Sequence, residues 1–203
     1  MKRRLSLLLI VSFLLLLTAC SKPVADGTDS YIGRAVMTET ETELVRLLGD
    51  HYPQQIFDFS VPETVKSMRV RVVRLVDDQW VQVSGGGTIG MTYAGRKGRI
   101  ALDYDTLDGD VKVSVQNDGA IFRMDHKALE QHDTTGLASA QTWLGNAVEI
   151  IPGKEIPLAL QVFSSQSEIP LAGMDCFDAP EKYAGHEYVY AVTVTFSEQG
   201  FGE

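Results

Sequence analysis

The sequence predicts an all-β fold, a two-layer antiparallel β-sandwich with one short N-terminal helix. Three observations predict it. Apolar and polar residues alternate in most segments after Ile56, which is the period of half-buried strands. Turn residues such as Gly, Asn and Asp separate these segments at regular intervals. About eight to ten such strands over roughly 140 residues fill two packed sheets. A closed barrel is the alternative.

One segment near the N-terminus predicts a helix over Thr38–Gly49, "TETETELVRLLG". Thr38 or Thr40 can cap its start, and Glu41 lies where the helix dipole favours negative charge. A glycine at the end supplies the stop. We expect its apolar stripe to cover an open end or edge of a sheet. The stripe consists of Leu44, Val45, Leu47 and Leu48.

The first predicted strands follow one another closely. In "MRVRVVRL", Met68, Val70 and Val72 share one face, and the next apolar residues are out of phase, which predicts a bulge. "WVQVSGGGTIGMTY" predicts two strands joined at Ser84–Gly87. Further strands are expected over 100–104, 111–115 and 120–124, the last two joined by an Asn-Asp-Gly turn.

The rhythm breaks over residues 125–145, which predict the longest irregular connection. Strands resume over 146–150 and 154–163, and a second long loop follows. The last strand, "EYVYAVTVTF", is apolar on both faces, which predicts a central position in a sheet. Binding residues concentrate in long loops on rigid scaffolds, so 125–145 is the expected functional segment.

The N-terminus has the order of a secretory signal. Lys2, Arg3 and Arg4 precede an apolar run over Leu5–Leu17. That run is shorter than the roughly 20 residues that a membrane span needs. A basic start, an apolar middle and small residues at the end are typical of a cleaved signal peptide.

The end of this segment, Leu17-Thr18-Ala19-Cys20, resembles the lipobox of bacterial lipoproteins. The resemblance implies cleavage before Cys20 and a diacylglyceryl thioether on its sulfur. It places the protein at the extracytoplasmic face of the cell membrane. The alternative is an ordinary signal peptide with a chance cysteine. The predicted organisation is therefore a signal peptide over 1–19, a lipidated tether over 20–36 and a single sandwich domain over 37–203.

Charge narrows the range of partners. The chain carries a net charge of -9, and removal of the three basic leader residues makes it -12. An acidic surface repels polyanions, so no nucleic-acid partner is expected. The lipid anchor is the expected membrane contact.

One acidic stretch, "DYDTLDGD", is a candidate metal site. Calcium prefers six to eight oxygen ligands from closely spaced carboxylates and carbonyls. The spacing differs from that of helix-loop-helix calcium sites, and aspartates are also common in turns and on solvent faces. Calcium is the one cofactor considered. The candidate ligands are Asp103, Asp105, Asp108 and Asp110.

The segment 125–145 supplies the candidate ligand-binding residues His126, His132 and Trp143. The two histidines are six residues apart, so zinc would need further ligands such as His51 or His186. An aromatic platform for a sugar or peptide is the other possibility, against a role in the core. That aromatic set is Trp80, Tyr93, Tyr104, Trp143 and Tyr183.

Two more groups have a chemical interpretation. Cys176 and His186 are residue types of a nucleophile and its base, without a known signature around them. A set of basic residues either meets an anionic partner or forms a solvent face and protects an edge strand. It comprises Arg69, Arg71 and Arg74, with Arg96, Lys97 and Arg99 following.

Taken together, these residues favour a non-enzymatic binding or interaction module. Its expected ligand is a glycan or another envelope protein, bound through residues 125–145. One alternative is a secreted enzyme that uses a loop metal or the Cys176/His186 pair. Another is a structural assembly or spacer lipoprotein.

Overall fold

The computed structural model describes residues 30–48, 55–91, 96–117, 119–128, 132–166, 168–169 and 174–200. These residues form two open antiparallel sheets and one short α-helix, which confirms the predicted all-β sandwich. The leader and Cys20 lie outside the described residues. No helix in the described part of the chain has the length and apolarity that crossing a bilayer requires.

Six strands form the first sheet, sheet A, in the order β7-β6-β5-β2-β1-β9. Their bounds are β1 Tyr31–Arg34, β2 Gln55–Ser60, β5 Lys97–Asp103, β6 Val111–Asn117, β7 Ala120–His126 and β9 Val148–Glu149. Five strands form sheet B, in the order β4-β3-β11-β10-β8. Their bounds are β3 Ser67–Val76, β4 Gln79–Gly90, β8 Ala138–Trp143, β10 Glu155–Ser164 and β11 Tyr188–Ser197.

The main core lies between the two sheets. Alternate residues of each strand point into it, as the period-two pattern predicts. Phe57, Ile100 and Val113 of sheet A are fully buried, and so are Val192 and Phe196 of sheet B. Strand β11 pairs with both β3 and β10. The predicted central position of this strand is therefore confirmed.

A second apolar layer covers one half of the outer face of sheet B. The predicted second long loop contains two 3₁₀ helices, Met174–Asp178 and Pro180–Tyr183. Trp80 stacks on Phe177 with ring centroids 4.6 Å apart, and its Nε1 donates to the Phe177 carbonyl oxygen. This layer buries Val73 on the outer face. Strand β3 keeps an unbroken register with β11. The irregularity expected after Val72 is present in the pairing with β4, where Val72 and Val73 face Ser84 and Gln82 and the extra residue lies on β4.

Strand β4 has more residues than β3 across their paired region. It runs unbroken over Gln79–Gly90. The prediction of two strands joined at Ser84–Gly87 is therefore wrong. Two steps along β3, from Arg69 to Arg71, face three steps along β4, from Thr88 to Gly85. Gly85 and Gly86 have φ of 79° and 104°, a conformation that glycine adopts without strain. The glycines therefore bulge the strand without reversing it.

The folded domain begins earlier than the sequence indicates. Residues 20–36 are assigned above to a tether, but Tyr31–Arg34 pairs with β2 and β9 as the strand β1. The boundary at residue 37 is therefore wrong. The pattern is too short to recognise, because a four-residue strand has only two alternations.

The predicted helix is present as α1, Glu39–Leu48. Thr38 caps it: its hydroxyl accepts from the Glu41 N–H, and the Glu41 carboxylate accepts from the Thr38 N–H. Leu44 is 52% and Leu47 80% exposed, so the expectation that this stripe covers a sheet is wrong. Arg99 of β5 holds the helix instead, through a 2.7 Å ion pair with Glu41.

The segment 125–145 is more regular than the sequence indicates. Strand β7 continues to His126, and β8 occupies residues 138–143 as the edge of sheet B. Residues 125–126 and 138–143 of this segment are therefore strand and not irregular connection.

Candidate functional site

The outer face of sheet B changes from apolar to polar along its strands. On β11, Val189 and Ala191 lie under the 3₁₀ helices, and the next outward residues are Thr193 and Thr195. On β3 the outward residues change from Val73 to Arg71 and Arg69. No described helix covers the polar half, which forms a groove of about 550 Å³. We call it the sheet-B groove.

The described residues that line the sheet-B groove are all polar or glycine. They include Ser67, Arg69, Arg71, Glu155, Thr195 and Ser197. The volume lies within the range of small-ligand sites, roughly 300–1,000 Å³. Each of these side chains sits on a strand or directly at its end, so the sheet fixes their spacing.

Arg71 and Glu155 form the fixed part of the groove. Arg71 donates from Nε and Nη2 to Oε1 of Glu155, at 3.1 and 2.5 Å. The hydroxyl of Thr193, itself fully buried, donates to the same oxygen. Oε2 of Glu155 has no hydrogen bond with any described residue. The pair therefore neutralises one arginine and leaves one carboxylate oxygen for a ligand.

Arg69 forms the second part, and its side chain is exposed. Its Nη2 donates to Oε1 of Gln82 at 3.0 Å, and Nε2 of Gln82 donates to the Gly85 carbonyl oxygen at 2.9 Å. No carboxylate pairs with Arg69 among the described residues. The glycine bulge makes this arrangement possible, since a Cβ on Gly86 would lie 2.9 Å from Gln82 Nε2. The bulged strand thus positions a guanidinium whose charge no described carboxylate neutralises.

Sequence reasoning missed this groove, although a signal for it exists. The outward residues of two paired strands change type at the same register, since Arg71 pairs with Thr193 and Val73 with Ala191. The basic set predicted from sequence is divided by the fold. Only Arg69 and Arg71 reach the groove, whereas Arg99 lies on sheet A and Arg74 contacts His132.

His126, a predicted ligand-binding residue, is 2% exposed. Neither of its ring nitrogens has a hydrogen-bond partner in the described part of the chain. Burial lowers the pKa of its imidazole, and Asp125 acts in the opposite direction. The ring packs against Gly85. His126 therefore lies inside the sandwich and not on a loop surface.

His132, in the connection that follows β7, contacts strands β3 and β11. One ring nitrogen is in hydrogen-bond contact with the guanidinium of Arg74, and Nδ1 lies 2.9 Å from the Tyr190 hydroxyl. Burial raises the pKa of Tyr190 to about 12. Nearby, the buried Gln161 amide accepts from the Leu107 N–H and donates to Ser139. The structure does not bring His132 together with His126.

Trp143, the third predicted ligand-binding residue, lies at the end of β8. Its Nε1 donates to the Tyr104 hydroxyl at 2.8 Å, and both side chains pack against the main core. Burial raises the pKa of Tyr104 to about 12. Trp80 and Tyr183 belong to the covering layer on the opposite side of sheet B. Tyr93 lies outside the described residues. The predicted aromatic platform is thus divided between two layers.

Three of the four aspartates of "DYDTLDGD", Asp103, Asp105 and Asp110, line a depression of about 390 Å³. Asp110 pairs with Lys127 at 2.5 Å, which lowers the pKa of that carboxyl, and Asp103 lies 3.7 Å from Lys112. Asp108 accepts from Thr134. The described residues include no group of three or more acidic, histidine or cysteine side chains placed to hold a metal ion.

Cys176 lies in the first 3₁₀ helix, but its side chain is outside what the structure describes. Nδ1 of His186 lies 3.0 Å from the Ser164 hydroxyl. The described contacts of His186 thus connect the end of this loop to β10. The pairing of Cys176 with His186 stays a prediction.

Comparison with known proteins adds no further assignment. No protein-family model, curated protein or solved structure matches the chain. The function is therefore argued from the residues themselves.

Proposed function

We propose that this protein is a lipid-anchored lipoprotein at the extracytoplasmic face of the cell membrane, and that its sandwich binds an envelope glycan without chemically altering it. The lipobox resemblance at Leu17–Cys20 supports the anchor. The sheet-B groove supports the binding role, and it replaces residues 125–145 as the proposed binding surface.

The polar lining of the sheet-B groove is the observation that carries this proposal. Sugar hydroxyls both donate and accept hydrogen bonds, and the groove offers both kinds of partner. Thr195 and Ser197 supply hydroxyls, Arg69 supplies N–H donors, and Glu155 supplies a carboxylate oxygen. A protein partner would instead favour an apolar centre with aromatic side chains. The described lining of the groove has neither, which favours a glycan over an envelope protein.

A blocked groove tests the proposal. The lipid-free domain is applied to an array of neutral and acidic bacterial surface polysaccharides. Thr195→Trp fills the groove floor and is expected to bind none of the polysaccharides that the unmodified domain binds. Ser114→Trp, on the outer face of sheet A, is the matched control and is expected to bind normally. Ser197→Trp serves as a second blocking variant if the first does not fold.

Two results would overturn the proposal. One is the absence of binding to any polysaccharide on the array. The other is binding that persists in both folded groove variants, because the ligand would then lie elsewhere.

A further inference from the structure

We propose that the sheet-B groove selects a carboxylated saccharide, and that Arg69 is the residue that recognises the carboxylate. This inference rests on the proposed function and specifies the ligand of the same groove.

The described lining of the groove has an excess of positive charge. Its charged members in the described part of the chain are Arg69, Arg71 and Glu155. Arg71 and Glu155 neutralise each other through the short ion pair between them. The charge of Arg69 remains, because its one described side-chain partner is the neutral amide of Gln82. A ligand with a negative group compensates this charge, whereas a neutral sugar does not.

Arg69 is also oriented before a ligand arrives. Gln82 accepts from one guanidinium nitrogen, and its own amide is fixed by the Gly85 carbonyl oxygen. The remaining N–H groups of Arg69 have no hydrogen-bond partner among the described residues. A guanidinium can donate two parallel hydrogen bonds to one carboxylate. Prior orientation lowers the entropy lost on binding.

The acidic chain makes non-specific attraction a poor explanation for such binding. The net charge of -9 repels a polyanion from most of the surface. A carboxylated saccharide that binds must therefore find a local positive site. The hydroxyls of Thr88 and Thr195 flank the groove and provide contacts to the uncharged part of the sugar.

The test compares two polysaccharides that differ only in their carboxyl groups. Polygalacturonate carries free carboxylates, and its fully methyl-esterified form has the same backbone without them. We expect the lipid-free domain to bind polygalacturonate at least about tenfold more tightly, the effect of one charge-assisted interaction. The titrations contain a chelator, so that calcium does not bridge carboxylates on the two partners.

Arg69→Gln is expected to remove the preference for the charged polymer. Arg69→Lys is expected to retain it in part, because lysine keeps the positive charge but lacks the two parallel N–H donors of a guanidinium. Arg123→Gln is the matched control: it removes an exposed strand arginine from sheet A and leaves the preference intact. Increasing salt weakens binding of polygalacturonate far more than binding of the ester.

The possible outcomes separate this inference from the proposed function. Groove-dependent binding of both polymers with equal affinity overturns the role of Arg69 and leaves the glycan-binding groove standing. Preferential binding of polygalacturonate that survives in Arg69→Gln also overturns the role of Arg69. Failure of both polymers to bind overturns the carboxylate preference. The polysaccharide array then tests separately whether the groove binds any glycan.

Discussion

Gly85 lies directly against the imidazole of His126, so closely that a Cβ atom on the glycine would overlap Nδ1 of the ring. The contact joins the two edge strands β4 and β7, which belong to different sheets. A histidine at the edge of sheet A is thus buried by a bulged glycine at the edge of sheet B.

This contact predicts that Gly85→Ala destabilises the domain more than a glycine-to-alanine change at a similar φ with open space around the new Cβ. Gly136 has almost the same φ, 80° against 79°, but nothing lies near its missing Cβ. Gly136→Ala therefore measures backbone strain alone, about 1–2 kcal/mol. We expect Gly85→Ala to cost about 1–3 kcal/mol more, from overpacking against the ring. Urea unfolding measures both, and equal losses would contradict the contact.

Burial of His126 predicts a loss of stability in mild acid. The folded state lowers the pKa of this imidazole below its ordinary value of 6.5, so the unfolded chain binds the proton more readily. Stability is therefore complete above about pH 6.5 and falls as the pH decreases toward the folded pKa. Of the residues around the ring, Gly85 and Val111 are uncharged, and the adjacent Asp125 opposes the shift.

Unfolding free energies measured from pH 8 to pH 5 test this expectation. His126→Phe is expected to flatten the slope near pH 6, whereas His186→Gln is expected to keep it. The lowered carboxyl pKa values, such as that of Glu41 at about 2, affect stability only at lower pH, roughly below 4.5. A slope near pH 6 that is unchanged in His126→Phe would show that another group is responsible.

Arg99 is predicted to hold α1 on the sandwich. It pairs with Glu41 of the helix and with Asp58 of β2, each at 2.7 Å. Arg99→Gln is expected to increase amide hydrogen exchange in α1 at least about tenfold, while the global stability falls by about 1 kcal/mol or less. Arg96→Gln, which removes only a 3.9 Å pair with Glu63, is the control. Unchanged exchange in α1 would mean that other contacts hold the helix.

Cys20 is predicted to carry the membrane anchor. In a bacterial expression host, the full chain is expected to incorporate labelled palmitate and to sediment with membranes. Cys20→Ser removes the acceptor sulfur and abolishes both, whereas Cys176→Ser keeps both. Label that persists in Cys20→Ser, or a membrane fraction without any label, would contradict the lipoprotein assignment.

The alternation of apolar residues was sufficient to predict the sandwich and the central position of β11, because burial between two sheets imposes period two. It did not show that Val73 faces outward, where a second apolar layer buries it, or that the extra residue at this register lies on β4. Nor was it sufficient at Ser84–Gly87, since glycines at positive φ permit either a turn or a bulge. The partner strand decides between these two, and a single segment does not reveal its partner.

The candidate site was harder to predict than the fold. Histidine and tryptophan are residue types that often bind ligands, yet His126 and Trp143 are packed within the sandwich. Arg69 and Glu155 lie 86 positions apart in sequence and line one groove only because β11 lies between β3 and β10. The order of strands in the sheet creates the site, and that order was not predictable from local patterns.

Mapping where a carboxylated saccharide binds tests the proposed role of the sheet-B groove most directly. Oligogalacturonate is titrated into the isotopically labelled lipid-free domain, and amide chemical shifts are followed. We expect shifts at Arg69, Thr88, Glu155 and Thr195, with sheet A unaffected. An absence of shifts, or shifts confined to residues 132–143 or to sheet A, would contradict that role.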